Sequence, residues 1–350
     1  MAYTTINKSS DHFNTVQWTG NASTNAITGV GFRPDWIWGK SHTSGYSHQL
    51  YDVVRGATYS LKTNGATTQE TLSTGLTSFD SDGFTLGSNT NINASGHTVT
   101  GWNWKAGNAQ GSSNTDGSIN TTYTSANTTS GFSISTYTGT GSAGTIGHGL
   151  GAKPAMIIAK RLTGSAEAWV VYHQSLDASA PQDKYLHLNS TDAVGDSAGM
   201  WNDTAPTTSV FSVGSTGVSN GSGGTFVAYC FAEKQGFSKF GKYTANGNAN
   251  GAFVYTGFKP GFIMIKSATT AMYWHIFDDK RQGFNPNNYR LNPNATDQET
   301  TTAGVIDILS NGFKIRTDQQ QFGTNGATYI YMAFAEAPLV GSNNIPATAR

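Results

Sequence analysis

Charge, cysteine and long hydrophobic runs are all scarce in this sequence, and each shortage excludes a class of protein. The 21 basic and 21 acidic side chains balance, and charged residues make up only 12% of the chain, against roughly 25% in an average protein. Without a run of Lys or Arg, the chain has no electrostatic footprint for nucleic acid or an anionic membrane. The longest apolar runs, such as 226–232, are too short to span a bilayer.

The single cysteine, Cys230, permits no internal disulfide and no cysteine-based zinc site. It lies inside an apolar run, which predicts a buried and unreactive thiol. At the N-terminus, residues 1–12 contain no apolar stretch of the kind that a secretory signal peptide requires. We therefore expect a protein that is made in a cytoplasm without a signal peptide.

Glycine (42 residues), Ser, Thr and Asn are abundant, together with 18 Phe, 15 Tyr and 8 Trp. β-Branched and aromatic residues favour strands, and good helix formers never assemble into a sustained helical period. Turn dipeptides such as Asn64-Gly65, Asp82-Gly83 and Asn311-Gly312 separate the strand-like runs. The sequence predicts an all-β fold of the sandwich or barrel type.

One sequence pattern occurs three times along the chain. In each copy an apolar stretch follows a proline and ends at a lysine: Pro34 to Lys40, Pro154 to Lys160, and Pro260 to Lys266. Its apolar residues do not alternate with polar ones, which predicts a strand that is buried on both faces and ended by a solvated lysine. The residues of this strand that we expect to be buried are Trp36, Ile37, Ile157, Ile158, Ile263 and Met264.

Other short motifs recur in the same order around this strand. Each copy has an opening aromatic (Trp18, Tyr137, Tyr243), a second apolar strand (ending at Tyr51-Asp52, Tyr172-His173, Phe277-Asp278) and a closing strand (98–104, 225–231, 328–334). We therefore predict three tandem homologous β-sandwich domains, jelly-roll or lectin-like, of about 100 residues each. The predicted order is an N-terminal anchor segment (1–12), repeat 1 (13–106), a linker (107–131), repeat 2 (132–237), repeat 3 (238–340) and a C-terminal tail (341–350). We expect the sandwiches to lie in a row, with the second and third forming the stiffer pair.

Two acidic residues invite a catalytic interpretation. Asp52 and Asp278 are each followed three residues later by an arginine, Arg55 or Arg281. They could be paired carboxylates for glycosidic hydrolysis, or ion pairs that close a turn after a strand. The middle copy has His173 instead of the acid, and this favours the structural interpretation.

No cofactor or metal site is predicted. Asp80-Ser-Asp82 resembles the start of a calcium loop, but no glutamate closes it. The eight histidines form no zinc motif, and the chain has neither a phosphate-binding loop nor a nucleophile elbow. We therefore predict no catalytic residues, and a protein that is not an enzyme.

Loops that differ between the copies are the expected place for ligand binding. The aromatic residues Tyr46, Trp201 and Tyr289 lie on such loops. They could stack on sugar rings, but aromatic residues are more often part of a core.

Several stretches resemble a signature that recurs in structural proteins of tailed phages, especially marine ones. They are 31–34 (Gly-Phe-Arg-Pro), 102–107, 225–241, 253–260, 309–315 and 328–336. Such proteins are described as tail-fibre-like or lectin-like, and the family has no established enzymatic residues to carry over. The resemblance implies a virion component that is exposed on the particle and made in the host cytoplasm.

Three functions follow from this resemblance and the composition. The first is a non-enzymatic surface protein that attaches the phage to its host through weak multivalent binding, which could involve glycans. The alternatives are a head decoration or capsid-fibre protein that stabilises the shell, and a polysaccharide-degrading enzyme. The expected partners are other virion proteins and a host cell-surface glycan or protein, without nucleic acid and without membrane insertion.

We also expect a homo-oligomer, preferably a trimer about an axis parallel to the row of domains. In the anchor segment, residues 3–6 could add a strand to a partner's sheet. The C-terminal tail is the competing anchor.

Overall fold

The computed structural model describes residues 3–301, 304–338 and 340. It confirms the all-β class, because nearly all of its regular structure is antiparallel sheet. Within those residues the helices are single turns: α1 (Thr90–Asn93), α2 (Ala198–Trp201), α3 (Gly217–Asn220), and the 3-10 turns Ser9–Asp11 and Pro181–Asp183.

For description, segments 1, 2 and 3 denote residues 13–106, 132–237 and 238–340. Segment 1 contains β1 (Phe13–Thr19), β2 (Asn25–Thr28), β3 (Trp36–Ser41), β4 (Gln49–Asp52), β5 (Tyr59–Ser60), β6 (Glu70–Thr71), β7 (Leu76–Asp80), β8 (Gly83–Leu86) and β9 (Thr98–Trp104). Between segments 1 and 2 lies β10 (Thr121–Asn127).

Segment 2 contains β11 (Phe132–Thr138), β12 (Gly144–Gly147), β13 (Met156–Arg161), β14 (Val170–His173), β15 (Lys184–His187), β16 (Gly195–Asp196), β17 (Val210–Val213) and β18 (Thr225–Phe231). Segment 3 contains β19 (Ser238–Thr244), β20 (Phe253–Tyr255), β21 (Phe258–Ser267), β22 (His275–Asp278), β23 (Ile306–Leu309), β24 (Gly312–Ile315) and β25 (Thr328–Pro338).

Each segment contributes a main sheet with its strands in the same order. The orders are β1-β9-β3-β4, β11-β18-β13-β14 and β19-β25-β21-β22, and the second sheet is extended by β10 on one side and by β15 and β16 on the other. Each segment also has a small sheet: β2-β8-β7, β12-β17 or β20-β24-β23. The small sheet covers one face of the main sheet, which gives each segment a two-layered, sandwich-like form.

The repeated apolar strands β3, β13 and β21 are buried on both faces, as predicted, and so are all six residues that we expected in the core. Successive side chains of a strand point to opposite faces. Ile37, Ile157 and Ile263 therefore pack into three satellite cores under the small sheets. Their neighbours Trp36, Met156 and Phe262 all enter one central core. The apolar run does not alternate because it serves two cores. Cys230 is buried in a satellite core, also as predicted, and burial raises its pKa.

The central core joins the three segments, so the expectation of separate sandwiches in a row is wrong. Aromatic contacts cross every boundary between segments: Trp36 to Tyr229 (ring centroids 4.6 Å apart), Phe13 to Phe334 (5.2 Å) and Phe231 to Phe334 (6.1 Å). Aromatic pairs of this kind contribute about 0.5–1.5 kcal/mol each beyond the area that they bury. Each segment contacts both of the others, and the chain closes on itself as a ring.

The lysines that end the repeated strands are buried, which corrects the prediction that they are solvated. The ammonium groups donate to carbonyl oxygens of another segment: Lys40 to Thr296 (3.2 Å), Lys160 to Ala66 (2.8 Å) and Lys266 to Thr191 (3.3 Å). Burial lowers the pKa of each of these lysines to about 8. Carbonyl groups replace water here because the strand ends at a boundary between segments and not at the surface.

The same three boundaries carry a second repeated contact. Ring N–H groups donate to carbonyl oxygens across each boundary: Trp169 to Lys62 (2.9 Å), Trp274 to His187 (2.9 Å) and His48 to Asn292 (3.0 Å). The acceptors lie in a Leu-x-x-Asn stretch that occurs at 61–64, 186–189 and 291–294. This motif is hard to recognise from the sequence, because only its leucine and asparagine recur.

The N-terminal segment packs against the rest of the chain. Ile6 is 2% exposed and lies in the central core, and the Tyr3 hydroxyl donates to the carbonyl of Gly257. This corrects the expectation that residues 3–6 are free to add a strand to a partner. The stretch 107–131, predicted as a linker, contains β10, which pairs with β11 as an edge strand. The predicted C-terminal tail, 341–350, lies outside the described residues.

Candidate functional site

The three aromatic candidates from the sequence lie in three different segments. Tyr46 is half-buried, with its ring edge-on to His97 (5.5 Å), and Tyr289 is half-buried in segment 3. Trp201 is only 2% exposed, in the satellite core of segment 2 against Tyr172. It therefore has no free face on which a sugar could stack, and this corrects its candidacy. Among the described residues, no ring contact or hydrogen bond joins any two of the three.

Asp52 and Asp278 are buried structural acids. Each accepts hydrogen bonds from the backbone N–H and the Nε of the arginine three residues later. Each also accepts from an aromatic donor of another segment: the Tyr229 hydroxyl bonds Asp52 (2.7 Å), and the Trp102 Nε1–H bonds Asp278 (3.1 Å). Both carboxylates are buried, and their hydrogen bonds come from donors of the chain itself. They are therefore not placed to attack or protonate a substrate.

At the boundary between segments 2 and 3, both the aromatic donor and the acidic acceptor are replaced by other residues. Met332 stands at the position of Trp102 and Tyr229 and has no hydrogen to donate, while His173 stands at the position of the two acids. His173 Nδ1 accepts from the backbone N–H of Ser175 (3.1 Å), so its Nε2 carries the proton and donates to the carbonyl of Tyr331 (3.1 Å). Donor and acceptor were replaced together, which explains why the middle copy lacks the acid.

The calcium-like stretch is a turn. Both carboxylate oxygens of Asp82 accept backbone N–H bonds, from Gly29 (3.1 Å) and Gly31 (2.6 Å). In the part of the chain that the structure describes, no group of three His, Cys, Asp or Glu side chains could hold a metal ion. None of the described helices is long and apolar enough to cross a membrane.

A surface cleft lies where segment 3 meets segment 1, and we call it the Asp279 cleft. Its larger cavity, about 350 Å³, is lined by Ser10, Phe13, Asn14, Thr15, Gly261, Asp279, Lys280 and 335–337. A smaller adjoining cavity, about 150 Å³, is lined by Lys259, Asp279, 282–285, Asn287 and Ile308. The larger cavity falls within the size range of small-molecule pockets. Asp279 lines both cavities, which makes it the centre of the site.

A β-bulge shapes this cleft. The pairing of β21 with β25 shifts on both sides of Pro260, and its register skips Gly261 and Glu336. A bulge of this kind re-aims side chains and is common beside binding sites. A Cβ at Gly261 would lie only 3.1 Å from the Cα of Glu336, so a larger residue here would push the backbone of Glu336 away by a few tenths of an ångström.

Asp279 and Glu336 are hydrogen-bonded to each other. Burial, with the nearby Glu336, raises the pKa of Asp279 to about 7, although Lys280 opposes this shift. For Glu336, burial alone would raise the pKa, but the hydrogen bonds from Lys259 and Asp279 lower it. The proton is therefore held by Asp279, and Glu336 is the ionised partner. A carboxyl group with a perturbed pKa in a cleft is a recognised mark of a functional site.

The cleft is polar where the corresponding boundary between segments 1 and 2 is apolar. Asp279 and Thr15 line it from its two sides, and the positions that correspond to them at the other boundary are Val53 and Ile134. Both of those side chains are buried in the central core. Segments 1 and 3 thus carry a matched pair of polar replacements, one on each side of the cleft.

Two residues that line the cleft have a buried polar atom that is unpaired. Thr15 Oγ1 and Asn287 Oδ1 have no hydrogen-bond partner among the residues described, although Thr15 is 6% and Asn287 1% exposed. An unpaired buried acceptor costs about 1–3 kcal/mol, so each such group requires an explanation. On the rim of the cleft, Phe284 is 72% exposed, the largest exposure among the large hydrophobic side chains described.

Sequence reasoning missed Asp279, Glu336 and Thr15. It singled out Asp278, one residue away from the acid that lines the cleft. The available signal was the comparison of the three copies, in which Asp279 corresponds to Val53 and Thr15 to Ile134.

Comparison with known proteins gives one match. The family model described as "Domain of unknown function (DUF7483)" matches residues 8–338. No curated protein and no solved structure matches the chain. Because the match spans all three main sheets and the residues of the Asp279 cleft, the protein belongs to the DUF7483 family.

Proposed function

We propose that this protein is a non-enzymatic surface component of a tailed-phage virion, and that it takes part in host attachment through weak multivalent binding. The observation that carries the proposal is the Asp279 cleft, an open polar site at a boundary whose counterpart is closed by apolar side chains. The resemblance to phage structural proteins and the low-charge composition rich in Gly, Thr and Asn support the same function.

The geometry of the two carboxyl groups argues against the polysaccharide-degrading alternative. Glycosidases separate their catalytic carboxyls by about 5–5.5 Å when they retain the anomeric configuration and by about 6.5–9.5 Å when they invert it. Asp279 and Glu336 are hydrogen-bonded to each other and are therefore closer than either arrangement requires.

We further infer that the three segments are copies of one sandwich. The common strand order of the main sheets and the repeated lysine and ring N–H contacts support this. A homo-oligomer stays a proposal, supported by the uncharged composition. A trimer axis parallel to a row of domains is no longer expected, because the segments form a ring and not a row.

A head-decoration role is the second candidate. The observation that favours it is the compact ring, into which the N-terminal segment folds through Ile6. A short body of this kind suits a particle surface as well as a fibre tip.

The test is to locate the protein on intact phage particles by immunogold labelling, and to measure the adhesion of the purified protein to host cells. We expect label on the exposed surface and saturable adhesion. Label restricted to particle-free lysate, together with no adhesion, would refute the proposal. New reducing ends after incubation with host polysaccharide would show an enzyme instead.

A further inference from the structure

The small sheet of segment 3 ends in an edge strand with exposed aromatic side chains. Within the part of the chain that the structure describes, β20 (Phe253–Tyr255) pairs only with β24. Phe253 is 49% and Tyr255 58% exposed, and no charged residue occurs from 243 to 258. Soluble proteins usually protect such an edge with lysine, proline or a covering segment. An aromatic edge without this protection is therefore suited to pairing with another strand.

The backbone groups of Phe253 and Tyr255 point towards the open edge. On the other side of the strand, the carbonyl of Ala252 accepts from the N–H of Ile315 (3.0 Å). Alternate residues of an antiparallel strand bond to the same neighbour. Ala252 and Val254 therefore face β24, whereas the N–H and C=O groups of the two aromatic residues face away from it. No loop among the described residues bonds to these outward groups.

The corresponding edge in segment 2 is covered by the chain itself. Thr145 on β12 stands at the position of Phe253, because each precedes the apolar residue that faces a phenylalanine of the adjacent strand. The carbonyl of Thr145 accepts from the N–H of Ile119 (3.0 Å), and its N–H donates to Ser118 Oγ (2.9 Å). The small sheet thus takes a strand-like segment at this edge in one copy, and the described residues supply none in segment 3.

The open edge of β20 is complementary to a second copy of itself. When two copies run antiparallel about a two-fold axis at Val254, Phe253 of one copy faces Tyr255 of the other. Because both residues direct their N–H and C=O groups outward, each donor meets an acceptor. Their side chains lie on the same face of the strand, so the facing pairs are aromatic, which is a favourable cross-strand combination. The strand carries no charge that would repel an identical strand.

We propose that the β20 edge (Phe253–Tyr255) is a self-association surface, through which two copies of this chain join their small sheets into one antiparallel sheet. A two-fold contact of this kind closes with two copies. It therefore predicts a dimer and not the trimer expected from the sequence. This inference supplies the contact for the proposed homo-oligomer and rests on that part of the proposed function.

The contact is small, and the association is therefore weak. Each copy contributes two aromatic residues that are about half exposed, so the dimer covers roughly 400 Å² of aromatic surface. Stable complexes bury at least about 1,200 Å². We therefore expect a reversible dimer with a Kd of about 0.1 mM.

The test is sedimentation equilibrium on the full-length protein between about 5 and 500 µM, where such a dimer forms. Phe253→Lys introduces the charge that natural edges use for protection and should weaken association at least about tenfold. Phe253→Thr introduces the residue of segment 2 and should weaken it about threefold. Both variants should keep the wild-type melting temperature, because the side chain is exposed. Ala26→Lys is the matched control, because Ala26 is exposed at the corresponding position of β2 in segment 1, and it should leave association unchanged.

Hydrogen–deuterium exchange of the amides in β20 gives a second measurement. We expect their protection to rise with protein concentration and to be lost in F253K. A monomer at every concentration would overturn both the surface and the homo-oligomer. A trimer, or equal association in the wild type, F253K and F253T, would overturn the β20 surface while the homo-oligomer stands. Protection that is independent of concentration would show that another part of the same chain covers the edge, and this too would overturn the proposal.

Discussion

The contact between Tyr229 and Asp52 provides the sharpest test of how the segments are joined. The Tyr229 hydroxyl donates to a buried carboxylate of another segment over 2.7 Å. Tyr229→Phe removes this donor and leaves the ring in the central core. Hydrogen bonds to charged groups contribute about 1.5–3 kcal/mol, so we expect the free energy of unfolding to fall by about 2 kcal/mol. Denaturant unfolding, followed by fluorescence and fitted with a common slope, measures this loss.

Tyr172 is a matched control within the same chain. Its side chain is also fully buried, but its hydroxyl has no hydrogen-bond partner among the described residues. Tyr172→Phe should therefore leave stability unchanged or raise it slightly, since it removes an unpaired polar atom. An equal loss in both variants, or a loss below about 0.5 kcal/mol for Y229F, would show that the bond between the segments does not stabilise the fold.

Three further predictions concern the satellite cores, the buried His173 and the central core. Ile157→Ala and Ile263→Ala should each lower the free energy of unfolding by about 2–5 kcal/mol, because both side chains are fully buried; a loss below about 1 kcal/mol would contradict their place in the satellite cores. Burial lowers the pKa of His173 to about 4. The unfolded chain therefore binds the additional proton between about pH 4 and 6.5, and stability is complete above pH 6.5 and lost below it. His173→Gln should reduce the loss of stability between pH 7 and 5 by about 2 kcal/mol, whereas an unchanged pH profile would show that His173 does not titrate in this way. Because the three main sheets share one core, calorimetry should show one unfolding transition, and three separate transitions would refute the shared core.

The sequence predicted the elements of this fold better than their assembly. The unbroken apolar run at Trp36 and its two copies correctly indicated a strand buried on both faces. The same run did not reveal that one face enters a core shared with the other segments, because burial in a separate sandwich and burial in a common core require the same residues. Lys40 was misjudged for a related reason. A lysine at a strand end is usually solvated. Here the carbonyl of Thr296, distant in sequence, joins those of Ser41 and Ser44 in replacing the water.

The Asp279 cleft depends on the closure of the ring. One wall of the Asp279 cleft comes from Thr15, near the start of the chain, and the opposite wall from Asp279 and Glu336, which lie far along it. No single segment contains both walls, so the site exists only when segment 3 has docked on segment 1. The central core that stabilises the ring thus also assembles the cleft. The matched polar pair could appear at this boundary without loss of the fold, because the aromatic and lysine contacts around it already hold the two segments together.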